Sequence, residues 1–451
     1  MKTTNVLFII SDDLSATTIA SYGNKICKTP NIDRLAQKGT LFTRVYCQAT
    51  YCGPSRASFM SGYYPDATGV FGYVSGRKAI GDRETWAEYF KNQGYHTARV
   101  SKIFHMPVPK GIELGSDGSD DPRSWTEKYN CQGPEWKASG VGETLEGNPD
   151  GTRPVVGGNT FVRVEAEGDD LVHSDGKAAQ KACELIHSYK NLDKPFFLGV
   201  GFVRPHVPFV APKEYYKDYP WQEIVLPKKM EGDWEDIPKK GINYKTSKNM
   251  KMSIEQQKKA VSAYYASVSF MDAQVGKVLQ ALEDSGQADE TIVIFTSDHG
   301  YHLGEHDFWA KVSLKDESIR VPLIISVPQG KAARSDSLVE LLDLFPTTAK
   351  MCGLDIPERL QGKDISKLLQ SPQTEVRDAI FSANNKGWVI QGKRWSYMKY
   401  KGPRPNEELF DLNKDPNQFF NLVSNPEYKV ALDKMRLAFT NKMKELKTND
   451  L

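Results

Sequence analysis

Val6-Leu7-Phe8-Ile9-Ile10-Ser11-Asp12-Asp13 is an unbroken apolar run that stops on a serine and two aspartates. An apolar run without alternation reads as a strand covered on both faces, the pattern of an α/β sheet packed between layers of helices. In open α/β sheets ligands gather at the carboxyl ends of the strands, so Asp12 and Asp13 stand where a metal site is expected. Adjacent carboxylates repel, and a cation is the usual compensation; an Asx turn or helix cap is the simpler alternative. The pattern recurs at Thr291-Ile292-Val293-Ile294-Phe295-Thr296, which ends in Ser297-Asp298-His299-Gly300.

Outward from these two strands, strands are expected over 40–46, 95–100, 195–202 and 321–327, and helices over 85–93, 175–189, 253–282 and 339–351, although Pro346 interrupts the last. Polar groups follow several strand ends: Lys102 and His105 after one, and Arg204 and His206 after another, with Pro205 and Pro208 stiffening the second loop. Tyr51-Cys52-Gly53-Pro54-Ser55-Arg56-Ala57-Ser58 reads as a tight bend leading into a helix, with Cys52 near the helix N-terminus and Arg56 four residues on. Residues 106–171 are dense in Gly, Pro, Asp and Ser, and read as an irregular ordered insertion walling a pocket. Beyond residue 372 short strands and a terminal helix indicate a small α+β domain, so the chain divides into 1–371 and 372–451.

With 451 residues, 39% hydrophobic and 26% charged, the chain is long enough for a large core. A net charge of +2 gives no reason to invoke nucleic acid, and no stretch has the ~20 apolar residues of a membrane span. The six cysteines are scattered, without zinc-type pairing or a disulfide framework.

The combination of Ser11-Asp12-Asp13, Cys52 to Arg56, Lys102-Ile103-Phe104-His105, Arg204 to Phe209, Thr296 to Gly300, Gly304-Glu305-His306 and Trp309-Ala310-Lys311 resembles the formylglycine-dependent sulfatases, with the iduronate-2-sulfatase branch nearest. Leu409-Phe410-Asp411-Leu412, with Asp415-Pro416 and Asn421-Leu422, is similar to that family's C-terminal signature. The core motif departs from many members, which carry Leu-Thr-Gly-Arg where this chain has Met60-Ser61-Gly62-Tyr63. Val312 and Tyr301-His302 also differ from what the iduronate branch leads one to expect beside the sugar.

The resemblance implies an alkaline phosphatase-like α/β fold: a large mixed central sheet flanked by helices, with a smaller C-terminal α+β domain. It implies that Cys52 is converted to Cα-formylglycine by a separate maturation enzyme. Asp12, Asp13, Asp298 and His299, with residue 52, would surround Ca2+, with Mg2+ as the alternative. One hydroxyl of the hydrated aldehyde would attack sulfur; Arg56, Lys102 and Lys311 would hold the sulfate, His206 would protonate the leaving oxygen and His105 would take the second hydroxyl proton.

By the same resemblance the substrate is a sulfated saccharide, attacked at its end and carrying a 2-O-sulfated uronic acid of a glycosaminoglycan or other sulfated polysaccharide. The uronate carboxylate needs a further cation, for which Arg204 and the pair Lys393-Arg394 are expected, with His302 beside the pocket. Rival readings are a neutral sulfated hexose, a phosphonate or phosphate ester, and a carbohydrate-binding relative without activity. A periplasmic or secreted location follows from the family, with an export signal removed ahead of Met1; the oligomeric state stays open between monomer and dimer.

Overall fold

In the computed structural model, which describes residues 4–147 and 159–451, strand β1 (Asn5–Asp12) is buried along its whole length. Its side chains alternate between two cores: Leu7 and Ile9 enter one, and Val6, Phe8 and Ile10 the other. Each such side chain contributes about 1.5–3 kcal/mol relative to exposure, which is why the run does not alternate with polar residues.

The other strands of this sheet are β2 (Thr40–Tyr46), β3 (His96–Ser101), β4 (Glu127–Tyr129), β5 (Phe196–Pro205), β6 (Thr291–Ser297), β7 (Arg320–Ser326) and β8 (Ala333–Glu340). They form an eight-stranded sheet in the order β8-β2-β7-β6-β1-β5-β3-β4. Strand β7 runs against β2 and β6, and the remaining pairings are parallel. The carboxyl ends of β1, β3, β5 and β6 therefore emerge together. Helix α1 (Cys52–Ser61) packs on one face of the sheet through Phe59 and Met60. Helices α2 (Ser174–Tyr189) and α3 (Ile254–Asp284) cover the other, through Ala178, Ala182, Ala260 and Val268. A capping box between Ser253 and Gln256 fixes the start of α3.

A second, antiparallel sheet holds β9 (Ile380–Ala383), β10 (Gly387–Gln391), β11 (Trp395–Tyr400) and β12 (Glu407–Asp411). Helix α4 (Lys429–Glu445) covers it, with Leu432 and Met435 packed in one cluster with Phe381, Ile390 and Leu409. The β9–β10 end of this unit is fastened beside the loop that leads to α1. The Ala383 N–H donates to the Gln48 carbonyl at 3.0 Å, and the Asn384 amide donates to the Val312 carbonyl at 2.5 Å.

Two segments differ from the expectation. The helix read over 339–351 occupies only Leu344–Met351, with Pro346 in its first turn where a missing N–H costs nothing; Leu341–Asp343 before it form a 3-10 turn, and Val339 and Glu340 end strand β8. The stretch 106–171 supplies edge strand β4 and a small sheet in which Gly140–Thr144 pairs with Val162–Ala166, which pairs in turn with Phe209–Pro212. Its residues 148–158 lie outside the described ones, as do Met1, Lys2 and Thr3. Among the described residues no helix is long and apolar enough to cross a membrane.

Candidate active site

Consecutive strand residues point to opposite faces, so Asp12 and Asp13 need a break in β1's alternation to face one point. Asp13 supplies it with a left-handed backbone (φ 65°), a region that aspartate tolerates better than most residues. The same device recurs at Ser101 (φ 59°), just before Lys102. Lys311 lies between Ala310 (φ 64°) and Val312 (φ 84°). Positive φ at a β-branched valine is strained, and such strain persists where the surroundings dictate it. At the end of β6 the His299 Nδ1–H donates to the Gly300 carbonyl (2.8 Å), which turns Nε2 toward the cluster. Any side chain at Gly300 would collide with the Glu317 carbonyl, 2.0 Å from an added Cβ.

Cys52 is the first residue of α1, after Tyr51 in extended conformation, and every residue of this helix is buried. Pro54 is tolerated because it sits in the first turn. Gly53 is required: a Cβ there would stand 2.7 Å from the Gly72 carbonyl and 3.0 Å from the Tyr73 ring. The Cys52 sulfur lies 3.3 Å from His299 Nε2, 3.2 Å from Lys311 Nζ and 3.6 Å from Asp13 Oδ1. Burial, then the Asp12 carboxylate, push the Cys52 thiol up, against the pull of Lys311. The unmodified side chain is thus a thiol and a poor nucleophile.

Asp12, Asp13 and Asp298 are fully buried. Arg56 Nε donates to Asp298 at 2.8 Å and Nη2 to Asp12 at 3.2 Å. Lys102 Nζ reaches Asp12 at 2.5 Å, and Lys311 Nζ reaches both Asp13 oxygens at 2.7 and 2.9 Å. Burial alone would raise the Asp12 and Asp13 pKa values. Lys102, His206, Arg56 and Lys311 outweigh it at Asp12, and His206, Lys311 and His299 at Asp13, so both stay well below the carboxylate range. Ligand atoms of Asp12, Asp13, Cys52 and His206 lie within 4.8 Å of one another, as do those of Cys52, Asp298 and His299. Oxygen donors joined by one orientation-locked imidazole fit a hard divalent cation. Since the three carboxylates are already matched by Arg56, Lys102 and Lys311, such a cation would leave the site positive and suited to an anionic substrate.

His206 donates Nδ1–H to the Val207 carbonyl (2.5 Å) and turns Nε2 toward Asp13 Oδ2, 3.7 Å away. Burial lowers it to about 3, against the pull of Asp13. His105 stacks on Tyr73 with ring centroids 4.4 Å apart, and its Nδ1 has no hydrogen-bond partner among the described residues. Burial and then the Lys102 charge lower it to about 2, so it is neutral and able to accept a proton. The structure thus draws Cys52, Arg56, Lys102, Lys311, His206, Asp12, Asp13, Asp298 and His299 into one cluster, with His105 at its edge.

The residues expected to contact the sugar lie elsewhere. Arg204 is 2% exposed; its guanidinium ion-pairs with Glu135 and donates to the His206 and Pro208 carbonyls. It braces the His206 loop and has no free face for a substrate carboxylate. His302 is fully buried against the Phe308 ring, with neither ring nitrogen hydrogen-bonded to a described residue. Lys393 pairs with Glu375 and Asp336, and Arg394 with Asp411 at 2.9 Å. Both sit in the β10–β11 turn, at the far end of β10 from the Asn384 contact. Sequence reading missed Glu135, Asp175 and Tyr73. Asp175 accepts the Val203 and Arg204 N–H groups at 2.8 Å each. Glu135 and Tyr73 stand in aperiodic loops, where only a contact identifies them.

A family model described as Sulfatase matches residues 4–354, and one described as N-sulphoglucosamine sulphohydrolase, C-terminal, matches residues 304–448. The chain is 33% identical over 452 residues to a protein named Sulfatase from Formosa agariphila, covering 96% of this chain and 85% of that one. It is 35% identical over 419 residues to iduronate 2-sulfatase of Homo sapiens, covering 79% and 70%. A protein solved with its substrate D-glucosamine-2-N,6-O-disulfate superposes with a TM-score of 0.79 over 100% of this chain and 99% of that one; at 20% identity the likeness is one of fold.

Proposed function

The chain belongs to the sulfatase family and is a sulfuric ester hydrolase, and on that premise we propose that it removes a 2-O-sulfate from a uronic acid at the non-reducing end of a glycosaminoglycan or other sulfated polysaccharide. The observation that carries the reading is the convergence of Asp12, Asp13, Asp298, His299, Arg56, Lys102 and Lys311 on residue 52. The uronate is supported by the 35% identity to human iduronate 2-sulfatase.

Cα-formylglycine, made from Cys52 by a maturation enzyme, would supply a hydrated aldehyde as nucleophile, and Ca2+, with Mg2+ as the alternative, a Lewis acid. Asp12, Asp13, Asp298 and His299 are the residues that would hold the cation. Arg56 and Lys102 keep Asp12 ionised, and Arg56 Nε orients Asp298. Lys311 stands over residue 52 and, with Lys102, attracts and orients the sulfate group. His206, its Nδ1–H held by the Val207 carbonyl, aims Nε2 into the site, where it would take up a proton once the anionic ester is bound and pass it to the leaving sugar oxygen. His105, neutral and fixed by its stack on Tyr73, removes the proton that frees sulfate from the enzyme. A polymeric substrate fits a periplasmic or secreted protein, with 1–371 as the catalytic unit and 372–451 closing one side.

A panel of matched sulfate, phosphate and phosphonate esters, and of oligosaccharides sulfated on iduronate, glucuronate, galactose or glucosamine, tests the reading. Fastest turnover is expected on the 2-O-sulfated uronates. Faster phosphonate turnover would overturn the sulfate assignment, and release from neutral sugars alone would overturn the uronate.

A further inference from the structure

Lys240, Lys386 and Lys401 come together at the rim of the second sheet. The Lys401 N–H donates to the Lys386 carbonyl at 2.8 Å, and a Cβ placed on Gly402 would stand 3.4 Å from Lys240 Nζ. Lys399 on the neighbouring strand is paired with Glu407, whereas among the described residues Lys240, Lys386 and Lys401 make no ion pair; the Asp66 carboxylate, held by the Trp388 indole over which Lys401 lies, feels the Lys401 charge. Burial and the Lys240 charge push the half-buried Lys386 ammonium below its usual range. Asp66 offsets the charge of Lys401, but two ammonium groups as close as those of Lys240 and Lys386 repel unless an anion joins them.

Three segments lead from these lysines into the active site. Lys386 follows Asn384, whose amide holds the Val312 carbonyl next to Lys311. Lys401 Nζ lies 5.7 Å above the Phe71 ring, and the Phe71 carbonyl accepts from the hydroxyl of Tyr51, the residue before Cys52. Two residues on, Tyr73 stacks on His105. Lys240 precedes Asn243, which donates to the Trp309 carbonyl at 2.9 Å, and Tyr244, whose phenol feels the charges of Lys311, Asp13 and Cys52 once burial has raised it.

We propose that Lys386, flanked by Lys240 and Lys401, recognises the carboxylate of the sugar whose sulfate is cleaved. The proposal rests on the uronate reading above, and it gives these lysines the role for which Arg204, Lys393 and Arg394 are unavailable. An ammonium binds as a compact charge without a fixed fork, so the cluster tolerates either epimer of the uronate at C5.

The test uses formylglycine-bearing protein and two probes: a disaccharide ending in a 2-O-sulfated uronate, and the same disaccharide with that carboxyl reduced to the alcohol. The quantity read is the ratio of the two kcat/KM values. Wild type is expected to favour the carboxylate about 10- to 100-fold, as for a charged hydrogen-bond partner. Lys386→Ala is expected to bring the ratio close to one. Exposed Lys240→Gln, which keeps the packing around Lys386, is expected to lower it several-fold. A ratio unchanged in both variants, with unchanged thermal midpoints, overturns the lysine assignment and leaves the uronate reading standing. A wild-type ratio near one overturns both.

Discussion

The Arg204 guanidinium and the Glu135 carboxylate meet in the interior beside the catalytic cluster, their side chains 3% and 1% exposed. The same guanidinium reaches the carbonyls of His206 and Pro208, and the adjacent backbone N–H groups are held by Asp175. Arg204 is therefore a splint across the loop that aims His206, and Glu135 keeps the splint in place. Burial raises Glu135 to about 7 even with Arg204 opposite, so the pair sits in a dry environment.

Glu135→Gln is expected to lower stability by about 3–5 kcal/mol, the usual result of leaving one buried charge unpaired. Its kinetic effect should depend on the leaving group. If His206 protonates the departing oxygen, a misaligned loop penalises sugar sulfates, which need that proton, by up to ~10²-fold, and aryl sulfates with acidic phenols far less. Rates across a series of leaving groups check this: the variant should depend more steeply on leaving-group pKa than wild type does. An equal loss across the series would reduce Glu135 to a purely structural role.

Asp298→Asn removes the carboxylate that Arg56 Nε addresses. Turnover is expected to fall by at least about 10²–10³-fold, while the two large cores keep the fold. Calcium supplies a readout independent of activity: ligand at about 100 times its Kd stabilises a protein by about 2.7 kcal/mol. Wild type is expected to gain a higher thermal midpoint with Ca2+, and Asp298→Asn to gain none. Full activity after exhaustive chelation would contradict the cation assignment.

Glu407 ties the small domain together, accepting from the Tyr397 hydroxyl (2.6 Å), Lys399 (2.9 Å) and Arg436 (2.5 Å). Burial would raise its pKa, but Arg436, Tyr397 and Lys399 hold it down at about 2, against 4.5 for a free glutamate. A carboxyl depressed in the folded state adds stability above its unfolded pKa and loses that stability as pH falls through the folded one. Glu407→Gln is thus expected to be less stable than wild type at about pH 7, with the gap closing between about pH 4.5 and pH 2. Denaturant titrations at several pH values measure the gap, and one of constant size down to pH 2 would contradict the assignment.

The buried strands and the residues at their carboxyl ends were legible in the sequence, because β1 and β6 must be apolar on both faces and then end on groups that no core accepts. Strand β8 was not: Ala-Arg-Ser-Asp-Ser alternates toward solvent at the sheet edge, and the apolar residues after it run straight into a helix. The catalytic centre was legible because its ligands follow short motifs. The sugar-binding side was not, because a cation's role depends on its partner: Arg204 and Lys393 look available in the sequence, yet Glu135 and Glu375 occupy them from other segments of the chain. Lys386 stands out only once the absence of such a partner is visible.

The central claim is that residue 52 works as an aldehyde on a sulfate ester. Intact-mass analysis of protein co-produced with a formylglycine-generating enzyme, paired with sulfate release from the same preparations, tests it directly. Conversion of Cys52 lowers the mass by about 18 Da, and sulfate release is expected to rise in proportion to the converted fraction and to vanish in Cys52→Ala. Equal turnover by protein whose Cys52 thiol is intact would contradict the account.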